Sequence, residues 1–530
     1  MKNKKQVEEF LNPTSPRLFT EKDLGLTKKE VDKALKRIAQ AIKKKEGIIV
    51  YGDYDADGIC STAIIWETLY RFTKNVLPYI PERVSEGYGL NQDSIAKLKS
   101  ENPNLKLIIT VDQGITANEK IEFAKSLGIE VIVCDHHQIG EKIPDCTAVV
   151  HTDKVCAAAI AWFLAKKVSQ QARENLKIME KDLDLVAIAT IADLQPLLGI
   201  NRSLTKHGLK VLNETKRCGL LEIFEEAGLK SGEIGNYEVG FIIAPRLNAM
   251  GRMEHALESL RLICTPNKNQ ARDLAQKLGL TNKERQTLTE EVTKHARQLL
   301  LASGGESQKL IFISHETYQE GVIGLAAGKL AEEFYRPAVV VSKGEIYSKA
   351  SARSVNGFNI IEAIRACSDL LVEVGGHPMA AGFTVETSKL AVLKSRLEEL
   401  ANKELDEQKL TKTLKVDCEL PLAAVKRELF EKIAEFAPFG LGNPSPVFVS
   451  RKVRLVDFRS VGNSGKHLKF KVAAPDSSLI FEAIAFSWGS LAPKLLPGQE
   501  IDIAYGLQIN YWEGQEKLEL KIKDLKWKKD

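Results

Sequence analysis

With 530 residues, 44% of them hydrophobic and 27% charged, the composition is that of a folded globular protein of roughly two to four domains, which excludes a disordered, fibrous or peptide-sized chain. The formal charge of +5, from 75 Lys and Arg against 70 Asp and Glu, permits a nucleic-acid partner without requiring one. The longest uncharged apolar run, Val155 to Ala165, is far short of the ~20 residues of a bilayer crossing, and no signal-peptide core follows the lysine-rich start, so neither secretion nor a membrane span is expected.

Charge is unevenly distributed. Residues 1–45 carry thirteen basic and six acidic side chains, and residues 411–530 carry nineteen and fifteen. Both ends are therefore basic, as a solvated surface or a binding face would be. The eight cysteines are scattered, with no C-x-x-C pair. A structural zinc site or a disulfide framework is not expected, and a reducing cytoplasm fits.

In chain order, residues 1–45 read as an irregular arm followed by an amphipathic helix at Lys28 to Lys45. From Gly47 strands and helices alternate: Gly47 to Tyr51, Ile59 to Phe72, Leu105 to Val111, Ala117 to Leu127, Glu130 to Cys134, Ala148 to His151 and Val155 to Val168. Short β-branched strands alternating with helices predict an α/β domain with a mainly parallel sheet, spanning residues 46–253. Residues 254–303, almost free of Gly and Pro, read as connecting helices. A smaller α/β domain is expected over 304–405, with strands Leu310 to Ser314 and Ala338 to Ser342, helices Val322 to Phe334 and Ile360 to Cys367, and a glycine-rich segment Gly375 to Gly382. Beyond the polar linker Asp406 to Thr413 the pattern becomes β: Phe448 to Phe458, His467 to Ala473, Phe481 to Phe486, Ile501 to Tyr511 and Lys517 to Leu525. About five strands there suggest a small C-terminal β-barrel of the oligonucleotide-binding kind (OB-fold), although the count alone also fits a sandwich.

Chemistry gathers at the strand ends. Asp53, Asp55 and Asp57 follow the first strand, Asp112 follows Leu107 to Val111, and Asp135, His136 and His137 follow Val131 to Cys134. Open α/β sheets place their ligand loops at these ends, and neighbouring parallel strands bring them together. Asp193, after the apolar helix Leu183 to Ala192, is a further candidate. Each motif alone reads as a solvated turn or a helix cap; their convergence argues for a site. Carboxylates and imidazoles without cysteine favour Mn²⁺ or Mg²⁺, and so many ligands exceed what one ion takes. Two divalent cations about 3.5–4 Å apart can drive in-line displacement at phosphorus, so metal-assisted phosphoester hydrolysis is the expected reaction class.

The same residues, Asp53-Tyr-Asp-Ala-Asp-Gly58, Asp112, Asp135-His136-His137 and Asp193-Leu-Gln-Pro-Leu197, resemble the successive motifs of the DHH phosphoesterases. Ala244-Pro-Arg-Leu-Asn-Ala-Met-Gly-Arg252, Ser351-Ala-Arg-Ser354, Gly375-Gly-His-Pro-Met-Ala-Ala-Gly382 and Phe436-Ala-Pro-Phe-Gly-Leu-Gly-Asn-Pro444 resemble its RecJ branch. The resemblance runs from about residue 46 to 530. It implies a DHH domain, a long connecting helix, a DHHA1 substrate-binding domain and an OB-fold at 406–530. It implies a single-strand-specific deoxyribonuclease that works 5′ to 3′, releases nucleoside 5′-monophosphates and serves recombination and repair. Single-stranded DNA with a 5′ end is the implied substrate, with a single-strand-binding protein and a helicase as partners.

Carried over by motif, Asp55 and Asp112 would hold one ion with Asp53 nearby, and Asp57, Asp112, His136 and Asp193 the other, with Asp112 as bridge. Asp135 would orient a ligand. His137 is read as a proton donor or phosphate contact, pointing away from its neighbour on an extended loop. Arg246 would neutralise an oxygen of the scissile phosphate, and Asn248 of the same run is assigned to substrate. Arg83, Ser351, Arg353 and the turn Gly375-Gly376-His377 would anchor a terminal phosphate at a fixed distance from the ions. Duplex would be excluded by a narrow channel between the two α/β domains, with the barrel gripping the trailing strand. Phe448, Phe458, Phe470, Tyr505, Tyr511 and Trp512 are stacking candidates, and the basic tail Lys521 to Lys529 is a phosphate contact or a solubilising end. Rival readings are a nanoRNase, a nucleotide phosphatase and a noncatalytic DNA-binding scaffold. The first two end after DHHA1, and the third would have lost metal ligands that are present here.

Overall fold

A computed structural model describes residues 3–83, 85–174, 177–474, 479–512 and 514–527, together with all but a few of their side chains. The chain divides into two compact units. One contains residues 16–195 and 207–412; the other contains 3–15, 196–206 and 413–527.

In the first unit, strands β1 (Gly47–Tyr51), β2 (Val76–Tyr79), β3 (Leu105–Val111), β4 (Glu130–Asp135) and β5 (Ala148–His151) form a sheet of order β2-β1-β3-β4-β5. Every pairing in it is parallel. The central strands β1, β3 and β4 are buried at almost every position, which is why they read as continuous apolar runs. Strand β2 and the helix Gln92–Glu101 had no counterpart in the sequence reading. β2 is an edge strand of four residues containing Pro78, and only Val76 is buried. Proline is tolerated at an edge, but it removes the pattern by which a strand is recognised.

The helices Ala56–Phe72 and Ala157–Gln171 pack together, and each buries small residues, Ala63 and Ala158 among them. Trp162 closes this core and donates its indole N–H to the Met179 carbonyl at 2.7 Å. The expected arm helix, observed at Lys28–Lys44, packs on β5. A 35-residue helix, Lys268–Ala302, some ~52 Å long at 1.5 Å per residue, leads to the second sheet. Its strands β6 (Ile311–His315), β7 (Ala338–Ser342), β8 (Tyr347–Arg353), β9 (Leu371–His377) and β10 (Ala380–Glu386) are ordered β6-β7-β8-β10-β9. Here the expected turn at Gly375 to His377 is corrected. These residues end β9, which pairs with β10 in a hairpin. A Cβ on Gly376 would lie 2.6 Å from the Ala381 Cα, so that glycine serves the close approach of two strands.

In the second unit, β11 (Cys418–Glu419), β12 (Phe448–Val461), β13 (His467–Ala473), β14 (Ile480–Ala485), β15 (Glu500–Trp512) and β16 (Gln515–Trp527) form one sheet. Pairing of β12 with β15 closes it into a five-stranded barrel, which decides between barrel and sandwich. Phe448, Phe470 and Tyr505 fill its core, and Tyr505 shares a 2.9 Å hydroxyl bond with Ser450. These three are therefore core side chains rather than stacking faces. Phe458 is partly buried against the same core, whereas Tyr511 is open at 70%. The Trp512 side chain and tail residues Lys528 and Lys529 lie outside the described residues.

The arm is not one segment. Its first helix, Lys4–Leu11, belongs to the barrel unit, where the Phe10 carbonyl accepts from Arg202 Nε at 2.7 Å. The same guanidinium donates to the Ala437 carbonyl at 2.9 Å and lies 3.7 Å over the Phe10 ring.

Candidate active site

The loop after β1 turns sharply into the helix Ala56–Phe72. Asp55 is the N-cap, its Oδ1 accepting from the backbone N–H of Asp57 at 2.9 Å and of Gly58 at 3.0 Å. Gly58 allows the loop to fold back, since a Cβ there would lie 2.5 Å from the Asp53 carbonyl oxygen. Asp57, buried, accepts from the backbone N–H of Ala157 and of Ala158, both at 2.7 Å, at the start of the neighbouring helix. Asp112, directly after β3, adopts a left-handed φ of 63°. A non-glycine residue in that region is held there by its surroundings, as functional residues often are. Asp193 caps the end of the helix Leu183–Ala192 and accepts from Gln195 Nε2 at 2.7 Å.

These groups converge. His136 Nε2 lies 3.1 Å from Asp112 Oδ1 and 3.7 Å from Asp57 Oδ2, and its Nδ1 lies 3.7 Å from Asp193 Oδ2. Three sets, Asp53 with Asp55 and Asp112, Asp57 with His136 and Asp193, and Asp112 with His136 and His137, each bring ligand atoms within 4.8 Å of one another. Asp112 belongs to two of them. Burial, then repulsion from neighbouring carboxylates, pushes the Asp53, Asp57 and Asp112 carboxyls well above their ordinary range. Asp53 Oδ1 is buried with no hydrogen-bond partner. Crowded carboxylates, an orphaned oxygen and an imidazole with no sulfur fit hard divalent cations.

Asp135 carries a different load. Its Oδ1 accepts from His137 Nδ1 at 2.8 Å and from the backbone N–H groups of His136 and His137, and its Oδ2 accepts from the Ile115 N–H. Burial pushes this carboxyl up, but the bonds from His137 and Ile115 outweigh it and leave it below its ordinary value. The His137 ring does not point away from its neighbour, as the extended loop suggested. Asp135 holds it on the same side as His136, with ring centroids 4.6 Å apart.

Beside this centre lies a cavity of about 880 Å³ lined by Tyr54, Arg83, Arg252, Ser351, Arg353 and Gly375, among others. Arg353 donates to Ser351 Oγ at 3.1 Å, and Arg83 lies 5.2 Å over the Tyr54 ring. Burial, then Arg83, Arg285 and Arg353, pulls Arg252 down to about 10. Burial and Arg83 also lower Arg353. Guanidiniums crowded to mutual repulsion make a site for an anion.

Three sequence expectations meet a different arrangement here. Arg246 is turned elsewhere, its Nε donating to Glu226 at 2.7 Å and its Nη1 to the Ile242 carbonyl at 2.9 Å. Asn248 is engaged by protein, its Oδ1 accepting from the Ala56 N–H at 2.6 Å, and so braces the loop that carries Asp53, Asp55 and Asp57. His377 is not among the cavity's lining residues; its ring stacks at 6.5 Å on His137. The sequence reading missed Arg252, Tyr54 and Tyr88. Tyr88 OH donates to the Asp112 carbonyl at 3.3 Å and lies 3.5 Å from His137 Nε2. Arg252 closes the run beginning Ala244-Pro-Arg246, so only the choice of arginine was hidden.

Residues 47–190 match the DHH family N-terminal domain, 307–403 the DHHA1 domain, and 416–524 the RecJ OB domain. The single-stranded-DNA-specific exonuclease RecJ of Thermus thermophilus is 33% identical over 92% of this chain and 70% of its own length. That of Salmonella typhimurium is 30% identical over 93% and 90%. The chain belongs to the RecJ family. RecJ of Bacillus subtilis is 37% identical over 94% of this chain, which spans 63% of that relative's length. Among solved structures, Thermus thermophilus RecJ in complex with Mn²⁺ has 30% identity and a TM-score of 0.83, covering 99% of this chain and 74% of that one. RecJ from the same source in complex with Mg²⁺ aligns with a TM-score of 0.77.

Proposed function

We propose that this chain is a single-stranded-DNA-specific exonuclease, digesting from the 5′ end by two-metal phosphodiester hydrolysis to release nucleoside 5′-monophosphates. One observation carries the reading: a convergent carboxylate and histidine centre beside a cavity lined by three guanidiniums. The relatives' names support the substrate. Asp53, Asp55 and Asp112 would hold one Mn²⁺ or Mg²⁺, and Asp57, Asp112, His136 and Asp193 the other. Bound there, the pair would supply Lewis acidity and an activated water at phosphorus.

Arg83, Arg252, Ser351 and Arg353 bind the terminal phosphate, and Tyr54 lines the same cavity. That anchor fixes which phosphodiester reaches the centre, giving release one nucleotide at a time. His137 supplies a proton to the departing 3′-oxygen from Nε2, because Nδ1 is committed to Asp135. Burial pulls this imidazole down, but the Asp135 bond and charge prevail and push it up to about 9. The barrel binds further strand, and recombination and repair in the cytoplasm, with a single-strand-binding protein and a helicase, is the setting.

The test is Mn²⁺-dependent digestion of single-stranded DNA labelled at either end, beside duplex and RNA, with Asp112→Ala as control. Early release of 5′-labelled mononucleotide from the single strand alone, lost in the variant, is expected. Cleavage restricted to oligomers of a few nucleotides would indicate a nanoRNase, and binding without cleavage a scaffold; either would overturn the proposal.

A further inference from the structure

A continuous helical rod from Asn236 to Met253 passes the active site, with a π-helical stretch at Val239–Ile243. Arg252, near one end, lines the anion cavity. Asn248 is fastened through the Ala56 N–H to the loop that carries Asp53, Asp55 and Asp57. At the other end Phe241 and Tyr237 are stacked on each other, centroids 4.9 Å apart at 25°. Both rings are open, Phe241 at 69% and Tyr237 at 58%. At 1.5 Å per residue they lie roughly 10 and 16 Å along the rod from Asn248, on the side opposite Arg252.

The π-helical stretch also packs on the helix Leu183–Ala192, which Asp193 caps. Next to that ligand, Leu194 is 72% exposed. The rod thus carries, in order, a cation for a terminal phosphate, a brace at the reacting centre, and two bare aromatic faces beyond it. We infer that Tyr237 and Phe241 form a stacking platform for unpaired bases of the strand that trails behind the scissile phosphate. This rests on the exonuclease reading for the position of that phosphate. Every base offers a π-face, so the platform grips any sequence, whereas paired bases are already stacked and offer it nothing.

Base stacking on an aromatic side chain is worth about 1–3 kcal/mol per base, or roughly five- to 150-fold. The double variant Tyr237→Ala/Phe241→Ala should therefore raise KM for a strand of roughly 20 nucleotides about tenfold or more, with kcat within about twofold. The aromatic pair Tyr237→Phe/Phe241→Tyr should restore it. An equal loss on a 5′-phosphorylated dinucleotide, which places a single base beyond the scissile phosphate, would mean a damaged centre and overturn the inference. So would an unchanged KM on the long strand, which would assign the pair to a protein partner.

A second measurement needs no turnover. In EDTA, Phe241→Trp should show emission quenched by poly-deoxythymidine beyond any change in the wild type, and emission that does not move would overturn the platform. Wild-type protein inert toward both substrates with Mn²⁺ would sink the exonuclease reading while leaving this titration to judge the platform.

Discussion

The Asp135 carboxylate holds His137 by its Nδ1 at 2.8 Å and at the same time accepts the backbone N–H of both histidines. The acid that opens the Asp135-His136-His137 run therefore positions the imidazoles rather than adding to the oxygen set. Asp135→Asn should lower kcat by roughly a hundredfold, the usual worth of a positioned proton donor. Metal affinity should change by less than about tenfold, the lower range for an outer-shell partner. Steady-state kinetics beside Mn²⁺ titration calorimetry separate the two, and a large loss of metal would make Asp135 a ligand.

The sharing of Asp112 between two ligand sets predicts unequal consequences of removing different acids. Calorimetry should find two Mn²⁺ in the wild type, one in Asp193→Ala and neither bound tightly in Asp112→Ala. Equal stoichiometry in the two variants would refute the bridge.

Arg252 and Arg353 are crowded by like charge, a cost that an anion between them relieves. Either arginine replaced by alanine should raise KM for a 5′-phosphorylated strand about 10- to 100-fold, from charge-assisted bonds worth about 1.5–3 kcal/mol. A strand with a 5′-hydroxyl should be affected much less. The ratio of the two KM values is the quantity to measure.

Lys166 is buried, and its Nζ donates to the carbonyls of Arg17 at 2.7 Å and Phe19 at 3.1 Å. Burial, then Lys167, pulls its pKa down to about 8 from 10.5. Because the folded value lies below the unfolded one, the unfolded chain holds more protons across that window, and stability rises with pH from about 8 to 10.5. Melting temperature measured between pH 7.5 and 9.5 should gain in the wild type relative to Lys166→Met, and parallel curves would contradict it.

The convergence of carboxylates and histidines was legible because parallel strands deliver their C-terminal ends to one edge, so residues far apart in sequence could be assembled from pattern alone. Arg246 and Arg252 share one motif and one helix, Ala244–Met253. Assignment by resemblance fell on Arg246, which is paired with Glu226, whereas Arg252 lines the anion cavity. The barrel strands were visible, but which aromatics fill the core was not. Phe470 and Tyr511 both sit in alternating strands, and only the closure of β12 on β15 decides which side is inside. Tyr237 and Phe241 left no signal, since an i, i+4 aromatic pair on a helix reads as core.

The helix Lys4–Leu11 takes its place beside Arg202 and Phe436, in the unit completed by residues 413–527. Phe10 meets Arg202, 192 residues further along, and Phe436 much later again, so this contact closes a long loop of chain. The helix lacks its partners until the barrel unit forms, whereas residues 16–195 and 207–412 make up the other unit without it. Docking of that helix is thus tied to folding of the barrel unit, and a fluorophore near residue 4 would report when that unit has formed.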